Sequence, residues 1–174
     1  QLPAAIRRRL TLENDDRCYT PRDLLPLCES HRIPLVYDVH HHRCLPDGYP
    51  VTEITRRAAA TWDREPLFHL SSPREGWRGP HPEHHHDFID IGDFPDEWRD
   101  LSLTVEVEAK AKEQAIARLQ RDLLRRGVDL RPPPRASCRT TATVQPQHPA
   151  PGSASVQRGQ DRSDRQDLPP DDTP

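Results

Sequence analysis

Four short apolar runs, each closing on a side chain that can bind a metal, constrain this chain more than any other feature. They are Arg9-Leu10-Thr11-Leu12-Glu13, Ile33-Pro34-Leu35-Val36-Tyr37-Asp38, Pro66-Leu67-Phe68-His69-Leu70 and Leu103-Thr104-Val105-Glu106-Val107-Glu108. Each is a short apolar run of strand length, as expected of parallel strands covered on both faces. Helical patterns separate them. Thr20 is a good N-cap, with Pro21 at the first helical position and Asp23 in the first turn, and that helix should run to about Ser30. It should bury Leu24, Leu25, Leu27 and Cys28, with Pro26 inside it as a source of shortening or kinking. A second helix starts at Pro50 or Thr52 and ends near Trp62. A third covers Ala109–Arg126, with Ile116, Leu119 and Leu123 on one face and Gly127 as its C-terminal cap. Asp38–Tyr49 and Ser71–Asp96 read as long loops, and Pro95–Trp98 as a single helical turn.

Strands alternating with helices imply right-handed crossovers and a parallel sheet. A doubly wound sheet and a TIM barrel both fit that order. Potential ligands sit at the C-terminal ends of all four strands, where barrels place their chemistry, whereas an open sheet concentrates it at one switch point. The expected class is therefore α/β, with four strands making half of a TIM (β/α)8 barrel.

Composition divides the chain. Every Trp, Tyr and Phe lies within residues 1–130. Residues 131–174 have no aromatics and are rich in Pro, Arg, Asp, Gln and Ser, too polar to offset the entropy of ordering, so they are expected to be a disordered tail. The net charge of -3 leaves no global basic footprint, so contact with nucleic acid must use a local patch or a metal cluster. No run approaches transmembrane length, and nothing near Gln1 reads as a signal peptide. The four cysteines (18, 28, 44 and 138) form no CxxC pair and suit reduced thiols. With no Met at position 1, the chain is expected to start after processing or within a longer protein.

Ten histidines is a high count, and seven of them fall at 40–42, 69 and 84–86. The candidate ligands are Glu13, Asp38, His41, His69, one of His84–His86, and Glu108. Carboxylates mixed with imidazoles suit Mn, Zn, Fe or Mg-like ions, and several carboxylates can bridge ions. Paired ions can stabilise both the attacking and the leaving oxygen of a phosphodiester. Each residue alone has an ordinary explanation: Glu13 as an ion-pair partner, Asp38 as a turn cap, His69 as a hydrogen-bonded core histidine, His84–His86 as a solvated loop. Glu106 and Glu108 point to the same side of their strand, and one of them could simply pair with Lys110 or Lys112. Trp77 reads as loop packing. The conjunction of four equivalent strand ends carries the argument.

Leu12-Glu13-Asn14-Asp15-Asp16, Asp38-Val39-His40-His41-His42, His69-Leu70-Ser71-Ser72-Pro73 and Val107-Glu108-Ala109-Lys110-Ala111-Lys112-Glu113 together resemble the UV damage endonuclease family, in the family's order. The resemblance covers about residues 1–126. It implies the C-terminal half of a xylose-isomerase-like TIM barrel and a repair endonuclease using divalent ions, usually Mn²⁺, with Zn²⁺, Mg²⁺ or Co²⁺ as alternatives. Such enzymes nick UV-damaged double-stranded DNA immediately 5′ to a photoproduct. The resemblance further implies a monomer acting in the cytoplasm, nucleoid-associated when bound to DNA. By it, Glu13, Asp38, His41, His69 and Glu108 are metal ligands and the catalytic set. The family's later histidine falls on His85, with His86 as the fallback; His40 and His42 become supporting or loop residues. The chain departs from the family in three respects. The family's N-terminal histidine ligands and lesion-probing loop are absent, Leu67 stands where the family can carry a modified lysine, and the tail has no recognised counterpart. Lys110, Lys112 and the Arg-containing loop 74–78 are candidate phosphate contacts. Half a barrel leaves two sheet edges open, so this chain alone is expected to be inactive or nearly so. A sugar isomerase of the same barrel superfamily, and a non-catalytic fragment, are the rival readings.

Overall fold

The computed structural model describes residues 3–130, and the expected tail lies outside the described residues. Four parallel strands form one sheet in the order β1 (Leu12–Glu13), β2 (Leu35–Asp38), β3 (Leu67–Leu70) and β4 (Thr104–Val107). A short helix, α1 (Ala4–Arg7), precedes β1. Helices α2 (Pro21–His31) and α4 (Val51–Ala60) connect successive strands, and α5 (Glu113–Arg125) follows β4. This is the expected α/β alternation.

Register decides what each face carries. Tyr37 pairs with Phe68 and Phe68 with Val105, so these side chains share the helix-covered face. Tyr37, Phe68 and Leu70 are fully buried there. Asp38 pairs with His69 and His69 with Glu106, so these three share the opposite face. Glu13 pairs with Val36, two residues before Asp38, which puts Glu13 on that second face as well. The alternation of each strand thus separates an apolar side from a ligand-bearing side.

The apolar side is locked by aromatic contacts and a few directed hydrogen bonds. Tyr37 and Phe68 meet edge-on at 5.6 Å between centroids, and Phe68 lies 5.4 Å from Trp98. The Trp98 indole N–H donates to Thr55 of α4 at 3.0 Å. At the other end of α4, Thr61 accepts from the Leu35 N–H and Trp62 donates to the Leu35 carbonyl, fixing the start of β2.

The α2 cap is as expected: Thr20 and Asp23 form a reciprocal capping box with Pro21 in the first turn. Pro26 is accommodated within a helix that continues to His31. Four expectations need correction. Residues 39–44 are not loop but a short helix, α3 (Val39–Cys44), because the Asp38 carboxylate caps it by accepting from the His41 N–H at 2.8 Å. The segment 71–96 contains a bridge between Pro73 and His85 and a 3-10 turn at Ile91–Asp93, so it is folded back on itself. Leu27 and Ile116 are exposed, at 44% and 42%, because each sits at the edge of its helix's apolar stripe; Ala115, Leu119 and Leu123 make the buried face of α5. The helix after β4 begins at Glu113, since Lys112 takes a positive φ of 50° and breaks the run from Ala109. No helix among the described residues is long and apolar enough to cross a membrane.

Candidate metal centre

The fold brings all six expected ligand positions to one place. Glu13, Asp38 and His41 each offer a donor atom within 4.8 Å of the others, and so do Asp38, His69 and Glu108, and His41, His85 and Glu108. Asp38, His41 and Glu108 each belong to two of these groups, so the three are one continuous cluster. The individual approaches are short. His69 Nδ1 lies 3.0 Å from Glu13 Oε1 and 3.5 Å from Glu108 Oε1. His41 Nδ1 lies 3.4 Å from Asp38 Oδ2 and 3.9 Å from Glu13 Oε1. His85 Nδ1 lies 3.8 Å from Glu108 Oε2.

Each side chain arrives by a different local rule. Glu13, Asp38 and His69 come from strand ends. Glu108 follows β4, where its N–H continues the ladder to the Leu70 carbonyl at 2.9 Å. His41 arrives by the first turn of α3. His85 arrives by the folded loop, held where Arg74 and His86 donate to the His84 and Ser72 carbonyls. His86, the fallback, is turned to Phe88, whose N–H donates to its Nδ1 at 2.9 Å. His42 is engaged by the Tyr37 hydroxyl at 2.7 Å and by Asp47 at 3.1 Å, a structural role away from the cluster. Leu67 brings no donor to the groove it lines.

Two residues matter that the sequence did not single out, Asn14 and Asp93, and a third, His40, takes the supporting place behind the ligands that the resemblance gave it. Asn14 is fully buried, and its side-chain amide pairs with the backbone of Asp38 in both directions: Nδ2 donates to the Asp38 carbonyl at 2.8 Å, and Oδ1 accepts from the Asp38 N–H at 3.0 Å. The Asn14 carbonyl lies 3.1 Å from His41 Nδ1. His40 is fully buried, with its ring centroid 5.1 Å from Trp77, 5.2 Å from His85 and 6.1 Å from His41. Asp93 accepts from Ser72 and from the Trp77 indole N–H, anchoring the loop over His40. An amide one residue past a strand-end carboxylate was the available signal for Asn14; Asp93 carried none.

The family model of UV-endonuclease UvdE matches residues 1–130. The chain is 44% identical over 124 residues to a UV DNA damage endonuclease of Deinococcus radiodurans, covering 68% of this chain and 39% of that protein. It is 37% identical over 131 residues to a UV DNA damage endonuclease of Halalkalibacterium halodurans, covering 70% of this chain and 40% of that one. The chain belongs to the UvdE family. Its fold superposes on the crystal structure of SacUVDE with a TM-score of 0.64 at 26% identity, covering 74% of this chain and 44% of that one. The chain spans about two fifths of the length of the curated UvdE relatives it matches.

The electrostatics of this UvdE cluster suit a cation. Burial pushes the Asp38 carboxyl upward, against the pull of nearby His41. Asp38 Oδ2 is buried without a hydrogen-bond partner, since His41 Nδ1 is directed at the Asn14 carbonyl instead. A buried carboxylate oxygen left unpaired is costly, and a divalent ion would complete it. Three carboxylates and three imidazoles suit such an ion. The residues therefore fit the divalent metal implied for them. In the protein alone, His69 partly fills that role. Its burial disfavours the proton, but Glu13, Glu108 and Asp38 outweigh burial and hold its pKa above the usual 6.5. The same hydrogen bond holds Glu13 below the ordinary carboxylate range. Burial drives His40 the other way, down to about 4, with neighbouring His85 and His41 adding to the effect.

Two outcomes are expected. Asn14→Ala strands two buried backbone groups of Asp38, at about 1–3 kcal/mol each, so it should lower stability by several kcal/mol in urea unfolding. A loss near zero would contradict the bridging role. For pH, the raised His69 pKa means that its ion pair stabilises the metal-free fold below 6.5 and that this contribution is lost as pH rises through the folded-state pKa. A metal must displace that proton, so Mn²⁺ affinity should climb about tenfold per pH unit below the His69 pKa and flatten above it. Glu13→Gln removes the main partner of His69 and should move the break to lower pH in Mn²⁺ titrations; an unmoved break would contradict the assignment.

Proposed function

We propose that this chain supplies the metal-binding half of a DNA repair endonuclease that nicks the backbone immediately 5′ to UV photoproducts. The observation carrying the reading is the convergence of Glu13, Asp38, His41, His69, His85 and Glu108 on one face of a parallel sheet in a UvdE family member. The curated relatives are named UV DNA damage endonuclease, which supports damaged DNA as the substrate over the small polyol of an isomerase. The four strands are read as half of a (β/α)8 barrel whose ligand-bearing face lines the interior. Residues 1–130 are read as one domain, and the rest of the chain as a separate segment.

Divalent ions, Mn²⁺ first among them, would supply Lewis-acid charge that lowers the pKa of water and neutralises the attacking and leaving oxygens of the phosphodiester. The residues of this chain do the rest. Glu13, Asp38 and Glu108 concentrate negative charge that makes the site selective for cations. His69, with Nδ1 between Glu13 and Glu108, gives up its proton there and would serve as a ligand. Glu106, 3.6 Å from His69 Nε2, holds the other side of the ring. Trp77 packs on His40, and His40 in turn backs His41 and His85, which keeps water out behind the ligands. Arg74, Lys110 and Lys112 line the open groove beside His85 and Glu108, placed to take backbone phosphates, with Arg78 nearby in sequence.

A chimera tests the reading. Residues 1–126 replace the matching segment of the Deinococcus radiodurans relative, and Mn²⁺-dependent nicking of a UV-irradiated duplex is assayed. The chimera should nick the damaged strand, and Asp38→Ala within it should lower the rate by about a hundredfold or more, the cost of losing electrostatic stabilisation at the reacting phosphate. An Asp38→Ala chimera of undiminished rate, or ketose–aldose turnover with no effect on damaged DNA, would overturn the proposal.

A further inference from the structure

We propose that His81, Glu83 and His84 form a second divalent-metal site, carried by the loop beside the main cluster and suited to Zn²⁺-class ions. The three side chains each offer a donor atom within 4.8 Å of the others. The backbone prepares them. His84 N–H donates to the His81 carbonyl at 3.1 Å, closing a turn, and Pro82 fixes φ within it. The turn sets the two imidazoles side by side, with ring centroids 5.0 Å apart and planes 23° from parallel. Glu83 stands between them: Oε1 lies 3.2 Å from His81 Nδ1 and 3.9 Å from His84 Nε2. One carboxylate oxygen thus serves two rings.

The turn is also fixed from outside. The Arg74 N–H donates to the His84 carbonyl at 2.6 Å, and Pro73 bridges to His85. Little ordering is left to be done on binding, which lowers the entropic cost. Both histidines are about half exposed, so solvent can complete the coordination. Two imidazoles and one carboxylate with an open position are a Zn²⁺ donor set. The main cluster differs in kind: its three carboxylates favour harder ions such as Mn²⁺, while an imidazole-rich site favours Zn²⁺, Ni²⁺ or Cu²⁺. A metal here would also pin the turn that presents His85. The inference does not depend on the endonuclease reading, because nothing in it uses the main cluster.

Equilibrium dialysis of the full chain, stripped of metal and exposed to Zn²⁺, tests it by elemental analysis. The double variant His81→Ala, His84→Ala should bind one Zn²⁺ fewer per chain than the parent, with an unchanged thermal midpoint in chelator. Asp38→Asn with His41→Ala should lose Zn²⁺ at the main cluster and keep this equivalent. Glu83→Gln, which preserves shape, should weaken this equivalent severalfold and serves if the double variant fails to fold. Undiminished Zn²⁺ binding in Glu83→Gln and in the double variant, or loss of this equivalent in Asp38→Asn with His41→Ala, would overturn the proposal. A main cluster that binds nothing, with this equivalent intact, would count against the endonuclease reading alone.

Discussion

The double hydrogen bond between the Asn14 side chain and the backbone of Asp38 is the contact on which the rest of the site depends. β1 is only two residues long, and its pairing with β2 stops at Glu13 opposite Val36. A backbone ladder alone would leave the end of β2 free on that side. The Asn14 amide imitates the next rung. It satisfies both polar groups of Asp38 in a place closed to water, where leaving them unpaired would be costly. Asp38 is thereby set so that one carboxylate oxygen caps α3 while the other is left without a partner. The cap fixes His41, whose ring is also directed by the Asn14 carbonyl. One neutral side chain thus positions a carboxylate, an imidazole and, through its own backbone, the neighbouring Glu13.

The charges then follow from crowding. Burial pushes Asp38 upward while its carboxylate lies close to that of Glu13, an arrangement that calls for a positive charge between them. His69 answers this by holding a proton between Glu13 and Glu108, and His40 answers the opposite pressure by staying neutral behind the rings. The arrangement holds at His69 a proton that an ion can replace. That coupling would tie metal occupancy to pH and to the fold at once.

Much of this was legible in the sequence, for physical reasons that can be named. Apolar runs that end on ligands mark covered parallel strands, so the four strands and the convergence of their ends could be read directly. The Thr20–Asp23 box and Gly127 (φ 75°) are local signals that tertiary structure had no cause to override. Other parts were not legible. Asp38 was read as a ligand at the start of a loop, which hid its second role as a helix cap and therefore hid α3. Asn14 sat in a polar stretch where an amide has many equivalent uses, and only the fold shows what lies opposite it. His81, Glu83 and His84 were overshadowed by the overlapping triplet at 84–86, and only the turn closed by the His84 N–H on the His81 carbonyl shows that their donors face one another. Leu27 and Ile116 fit the helical period, but periodicity marks the centre of a buried stripe better than its edge.

The central claim is that strand ends and one helix turn, set by Asn14, assemble a divalent-metal centre from Glu13, Asp38, His41, His69, His85 and Glu108. Crystals of the protein soaked in Mn²⁺, with anomalous scattering recorded at the manganese edge, test it directly. Anomalous density should appear among Asp38, His69 and Glu108 and beside His41, and should vanish there in Asp38→Asn. Manganese density confined to other surfaces, or unchanged by Asp38→Asn, would contradict it.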